Sequence, residues 1–364
     1  MKRIVWLVLI CCTLLCACRK KPVETEPATD PTTDVTTEAT EPTQEATRDT
    51  EPAAQYAHPL TGQLLEEPWQ GQVATIVINN IQDALPQHGV SQADMIYEIE
   101  TEGGITRMLA LFSHFADIGA IGPVRSDRSF FNNVSVSFGA PILHCGGSQY
   151  GLNGQYDDTG AKIPGWKHID AAYYEGTYFY RDKDRYNNQG YLWEHTLFTD
   201  GQLVQAALEK KNMYNPTSRE FGLTFTEAPK LKGDTAKQIK VNFRGGKTSS
   251  FAYNKETGLY EMSQYGKEHI DANTGDQMSF RNVLVVYADQ WFVYDGWYNR
   301  SFYDLLGEGE GLAAIDGKIV PITWHREKLE DPFTYTLEDG TPLTLGVGKT
   351  YVAVASPKKP TTFE

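Results

Sequence analysis

The stretch DMIYEIETEGGITRMLALFS, residues 94–113, decides the fold. Residues 94–100 and 105–113 each read as a strand, and Glu102-Gly103-Gly104 between them is a turn signal. Upstream, the β-branched run of residues 73–79 reads as a buried strand. Downstream, Ser126 stands where it caps a helix beginning near Asp127, with Phe130, Phe131, Val134 and Phe138 spaced for one buried face. Residues 141–145 form a strand that stops at Gly146-Gly147-Ser148, and residues 201–211 an amphipathic helix. Residues 56–215 are thus expected to form a mixed-sheet α/β domain.

After Asn215-Pro216 the texture changes. Residues 239–243, 250–253, 258–262, 283–287, 319–324, 333–337 and 351–355 are strand-like, with turn signals such as Glu256-Thr257-Gly258, Asp316-Gly317 and Asp339-Gly340 between several of them. Residues 220–358 therefore read as a second, β-rich domain, and the fold class as α+β.

The chain opens with Lys2 and Arg3, an apolar run over residues 4–15, and Leu15-Cys16-Ala17-Cys18. Too short to span a bilayer as a permanent helix, this run reads as a lipoprotein signal peptide over residues 1–17, with Cys18 as the lipidated residue. Two or more acyl chains make a stable membrane anchor. Of five cysteines, only Cys145 is then left unmodified in the mature chain, so no internal disulfide is expected, and the core must hold by packing. Residues 18–55 are rich in Thr, Glu, Asp and Pro, a composition that cannot bury a core, and read as a disordered tether. Its reach runs from about 35 Å as a coil to about 115 Å when extended. Residues 56–364 carry 27 basic and 38 acidic residues, a net charge of −11. That balance argues against nucleic acid as a partner.

The densest polar run lies between Glu98 and Ser148. Glu98, Glu102, Arg107, Arg125, Asp127, Arg128, His144 and Ser148 sit at strand ends and at a helix start. Arginines there can fork onto a carboxylate or phosphate, and Gly146-Gly147 permits a close backbone approach. The competing reading pairs the three arginines with Glu98, Glu102 and Asp127 as ion pairs. His144 and Cys145 are neighbours in a strand and point to opposite faces, so His144 is a poor base for a Cys145 nucleophile, and Cys145 reads as packed. His144, His168 and His195 with Glu98 or Asp170 lack a metal-ligand spacing, so no metal is expected, and no cofactor motif is present. Residues 271–276 begin like a calcium loop, but Asn282 stands where the bidentate acid belongs, so an Asx-type turn is expected instead. The aromatic stretch from Trp291 to Tyr303 reads first as strand-face packing, with stacking on sugar rings as the alternative.

Several strings together carry a resemblance: His58-Pro59-Leu60-Thr61-Gly62, Ser91-Gln92-Ala93-Asp94, residues 102–107, Gly122-Pro123-Val124-Arg125-Ser126 with Arg128, and Gly146-Gly147-Ser148. They resemble the YerB-type lipoprotein family, a two-part domain of unknown function found in Gram-positive bacteria. The second half is similar through His269, Asp271, Thr274-Gly275, Asn282-Val283, Asp316-Gly317-Lys318 and Trp324. The resemblance implies a two-domain envelope lipoprotein with no established reaction. It adds Arg181 and His195 to the candidate residues, since Arg181-Asp182 and His195-Thr196-Leu197 fit the family pattern, although Glu194 replaces an expected proline.

The leading expectation is a lipid-anchored protein on the extracytoplasmic face of the cell membrane. Its partner would be a cell-wall polymer or envelope protein, met in a cleft of Arg107, Arg125, Arg128, His144, Ser148 and His195. The alternative is a wall-directed hydrolase or transferase, with Glu98 or Glu102 as acid or base and His144 or His195 as partner.

Overall fold

Strict alternation of side chains along the central strands places an apolar core on each face of one sheet. The computed structural model describes residues 56–364; the expected signal peptide, Cys18 and the tether lie outside the described residues. In chain order the elements that matter are β1 (Ala74–Asn79), β2 (Met95–Glu100), β3 (Thr106–Phe112), α1 (Ser129–Ser137), β4 (Ile142–His144), β5 (His168–Asp170), α2 (Gly201–Lys210), β6 (Gln238–Asn242), β7 (Thr248–Asn254), β8 (Leu259–Gln264), β9 (Asn282–Tyr287), β10 (Gly307–Ile315), β11 (Lys318–Arg326) and β12 (Thr350–Ala355). The protein is strand-rich with few helices. Among the described residues no helix is long and apolar enough to cross a membrane.

The main sheet runs from Asp234–Thr235 through β11, β10, β9, β12, β2, β3, β1 and β4 to β5. It is mixed. Strand β3 is antiparallel to both neighbours, while β12 is parallel to β2 and to β9, and β4 is parallel to β1 and to β5. The segments 56–215 and 220–358 therefore meet in one sheet, through the β2–β12 pair.

Ile76, Ile78, Ile96, Met108, Ala110, Val283, Val285, Tyr351 and Ala353 point into one core. Val77, Tyr97, Ile99, Leu109, Leu111, Leu284, Val286, Val352 and Val354 point into the other. This is the period-2 pattern of a sheet buried on both sides. Helix α1 covers the second face with Phe130, Phe131 and Val134. The first is covered by α2, through Val204, Ala207 and Leu208, and by a second sheet in which β6, β7 and β8 pair antiparallel. Helix α2 is capped by Asp200, whose carboxylate accepts from Leu203 N at 2.8 Å. Helix α1 begins two residues later than the sequence suggests, with Arg128 at the N-cap position and no side-chain cap; Ser126 does not cap it.

Strand β10 has no counterpart among the expected strands, because its first half, Gly-Glu-Gly-Glu-Gly, lacks apolar alternation. Its glycines answer packing needs. A Cβ on Gly309 would stand 2.6 Å from the Trp324 indole, and one on Gly311 would run into the Val285 carbonyl oxygen. Gly311→Ala is expected to lower stability by about 1–3 kcal/mol through overpacking. Urea unfolding should show this as a lower midpoint with an unchanged slope.

Candidate functional site

The parallel strands β1, β2, β4 and β5 all end at one edge of the main sheet, where open sheets leave room for ligands. The loop through residues 122–128 is threaded between the ends of β1 and β4. Arg125 N donates to Val77 O at 2.8 Å, Cys145 N to Arg125 O at 3.0 Å, and Asp127 N to Gly146 O at 2.9 Å. Arg107, near the start of β3, lies directly opposite Asn79 at the end of β1. Backbone pairing thereby gathers Arg107, Arg125, Asp127 and Arg128.

Their side chains are unequally satisfied. Arg128 is committed to Glu102: its Nε donates to both carboxylate oxygens at 2.9 and 2.8 Å, and its Nη2 donates to Oε2 at 2.6 Å. Arg125 meets the half-exposed Glu194 at 3.3 Å. Arg107 is 5% exposed and donates only from Nη1 to Ser126 O at 3.1 Å. Among the described residues it has no carboxylate within ion-pair distance, and the Nε atoms of Arg107 and Arg125 are buried without partners. Burial, and then the neighbouring Arg128 and Arg125, push the Arg107 pKa well below the usual guanidinium range. The Asp127 carboxyl is fully buried, among the described residues neither oxygen has a hydrogen bond of good geometry, and burial, opposed by the nearby Asn132 amide and Arg128, pushes its pKa up to about 7.

Asp127 makes stability depend on pH with a definite sign. Below about pH 3 the carboxyl is protonated in folded and unfolded chains alike. Between about pH 3 and 7 the unfolded chain ionises first, so folding loses stability as pH rises, reaching a plateau deficit of about 4 kcal/mol above pH 7. Asp127→Asn is expected to be more stable than the parent at pH 8 and equal to it near pH 3, measured by denaturant unfolding at both values.

The remaining candidates are engaged with other partners, although Ser148 N donates to Asp127 O at 3.2 Å. His144 is fully buried, its Nδ1 lies 2.9 Å from Gly146 O, and its Nε2 lies 3.0 Å from His168 Nδ1. Its ring stacks on His168, which stacks on Trp166. Burial lowers its pKa to about 4, so the imidazole is neutral. Ser148 is a cap, accepting from Gly151 N at 3.1 Å. His195 Nδ1 meets Asn79 Nδ2 at 3.0 Å, and its Nε2 is 3.6 Å from Glu194. Arg181 holds Glu175 at 3.0 Å and lies over the Trp193 ring. Burial raises the Cys145 thiol pKa, against the needs of a nucleophile. Arg107, Arg125 and Arg128 therefore converge, His195 reaches Arg125 through Glu194, and His144 and Ser148 lie beside the 122–128 loop with their side chains hydrogen-bonded to His168, Gly146 O and Gly151 N.

Glu98 belongs to another, deeper network. It is fully buried on the core face between the two sheets and accepts from Asn80 at 2.8 Å, Thr106 at 2.5 Å and Ser249 at 2.7 Å, and also from Lys247 and Tyr351. Burial alone would raise its pKa, but the Lys247 charge and these donors lower it. Among the described residues, neither Glu98 nor Glu102 hydrogen-bonds a histidine. A concavity of about 480 Å³ opens beside Lys247, walled by Gly103, Gly104, Gly245, Gly246 and Tyr265. Lys247 was not among the candidates, yet a signal existed. Lys247, Ser249 and Phe251 share the period-2 phase of one buried strand face.

Two family models match the chain. The N-terminal domain of a protein family of unknown function (DUF3048) covers residues 60–214, and the C-terminal domain of the same family covers residues 239–352. The chain is 27% identical to "Putative lipoprotein YerB" of Bacillus subtilis (strain 168) over 305 residues, 81% of this chain and 85% of that protein. The crystal structure of YerB from Bacillus subtilis superposes with a TM-score of 0.71 at 23% identity, covering 85% of this chain and 99% of that one. At that identity the superposition speaks for the fold.

Proposed function

The chain belongs to the DUF3048 family, and we propose that it is a lipoprotein anchored through Cys18 at the extracytoplasmic face of the membrane, which binds an anionic group of an envelope ligand at Arg107 and Arg125. The anchor reading is supported by the Leu15–Cys18 motif and by the likeness to a Bacillus subtilis protein named as a lipoprotein.

One observation carries the ligand reading. Among the described residues, Arg107 is a buried guanidinium with a single side-chain hydrogen bond and no carboxylate within ion-pair distance. An uncompensated buried charge is expensive, and a carboxylate or phosphate matching its fork would relieve it. Arg125 is 22% exposed in its side chain and gives the group a way in from solvent. Gly146, at φ 59° with open space where a Cβ would stand, leaves the adjacent backbone approachable. The acid–base alternative has less support, because Glu98 and Glu102 are each engaged by a cation rather than by His144 or His195.

The test is capture of anionic wall fragments by the full-length protein in detergent, with stem peptides and phosphate-bearing polymer presented separately. Arg107→Met combined with Arg125→Gln is expected to abolish capture of one class while leaving the unfolding transition cooperative. Undiminished capture of both classes would refute the site.

A further inference from the structure

The hairpin of Gln290–Tyr294 and Asn299–Tyr303 rests on the turn that follows β2, whose Glu102 holds Arg128 of the arginine cluster. Ser301 N donates to Glu102 Oε1 at 3.1 Å, the carboxylate that holds Arg128, and Tyr303 OH donates to Glu100 O at 3.0 Å. Its inner rings pack: Phe302 meets Tyr150 edge-on at 5.1 Å and stacks on Trp291. Its outer rings do not. Phe292 is 45% exposed, Tyr294 64%, Tyr298 63% and Trp297 80%, which corrects the preference for packing drawn from the sequence. Phe292 and Tyr294 lie two residues apart on one strand and so share a face.

These rings are held in place while exposed. Asp295 Oδ1 accepts from Trp297 N at 3.0 Å and from Tyr298 N at 2.8 Å, and its Oδ2 accepts from Arg300 Nε at 2.5 Å. The Arg300 guanidinium in turn lies over the Tyr298 ring at 4.8 Å, and Arg244 lies over Phe292 at 5.3 Å. A turn fixed by a carboxylate, with cations behind two of its rings, is pre-organised to present flat aromatic faces, and such pre-organisation lowers the entropy lost on binding.

We propose that this hairpin is a carbohydrate-stacking arm that takes the pyranose faces of a glycan strand. Rings with one polar tip suit a ligand that is apolar on its faces and wet at its edges. The charge balance selects this occupant over a lipid surface: residues 56–364 are net −11 and repel anionic headgroups, whereas neutral sugar faces meet no such repulsion.

The experiment compares the full-length protein with Trp297→Ala/Tyr298→Ala, two solvent-facing changes, in detergent. The probe is co-sedimentation with wall glycan stripped of peptide and phosphate, with anionic lipid vesicles and analytical ultracentrifugation as parallel arms. The variant is expected to bind glycan about tenfold more weakly or worse, as loss of a Trp–Tyr hot spot implies, with vesicle binding and oligomeric state unchanged. Single substitutions at Phe292 and Tyr294 should each give a smaller loss. Equal glycan binding by parent and variant overturns the proposal, and so does an effect confined to vesicles or to self-association. Arg107→Met should leave binding of this uncharged glycan intact, so failure of the anion site and failure of the hairpin give different patterns.

Discussion

Replacing Lys247 with methionine is expected to destabilise the protein by about 3–5 kcal/mol, the range for removing one partner of a buried ion pair. The reason is the position of Glu98. It lies on the same strand face as Ile96, within the core shared by the main sheet and the second sheet, and it is fully buried. Without the Lys247 ammonium its carboxylate keeps only neutral donors from Asn80, Thr106, Ser249 and Tyr351. The cheapest response is protonation, so the destabilisation should shrink as pH falls through the raised Glu98 pKa of the variant. Adding Glu98→Leu to Lys247→Met removes both charges and should recover part of the loss. A double-mutant cycle in urea would then return a coupling energy of about 2 kcal/mol or more. Simple additivity would mean that the pair contributes little to joining the two sheets.

Arg107→Met should have the opposite sign. Among the described residues this charge has no carboxylate within ion-pair distance, so an apolar chain of similar length is expected to raise stability by about 1–3 kcal/mol, comparable to replacing other buried charges with packed apolar groups. The same change should lower affinity for the anionic ligand by about 100-fold, since a charge-assisted fork is worth about 3 kcal/mol in a desolvated site. Stability gained together with binding lost is the pattern of a residue kept for function at the expense of the fold. A purely structural Arg107 would lose stability on substitution and leave ligand binding unchanged.

Much of this architecture is legible in residues 94–113, because strands buried on both faces announce themselves as apolar runs, and Gly103-Gly104 can only be a turn. The expected strands from 73–79 to 351–355 match observed strands to within a few residues. Strand β10 was not legible, since the pressure for Gly309 and Gly311 comes from Trp324 and the Val285 carbonyl, which are distant in sequence. The site was legible in part. Arginines clustered near a helix start do converge, but which of them lacks a counter-charge depends on Glu102 and Glu194, and only the fold places those. The exposed rings of Phe292 and Tyr294 were misread as packed because a strand's aromatic alternation looks the same whether its outer face meets protein or solvent, and those of Trp297 and Tyr298 because the turn that carries them is not marked by the aromatic pattern. The Glu98–Lys247 pair joins segments 149 residues apart, a separation that no local pattern encodes.

Thermal unfolding with added ligand tests whether Arg107 serves as an anion site. Inorganic phosphate and a wall stem peptide, titrated separately, should raise the melting temperature of the parent protein saturably for at least one of them, since a ligand at one hundred times its Kd stabilises the native state by about 2.7 kcal/mol. Arg107→Met should start from a higher melting temperature and show no such rise. An equal rise in parent and variant, or none in the parent at any concentration of either anion, would rule out Arg107 as the anion site.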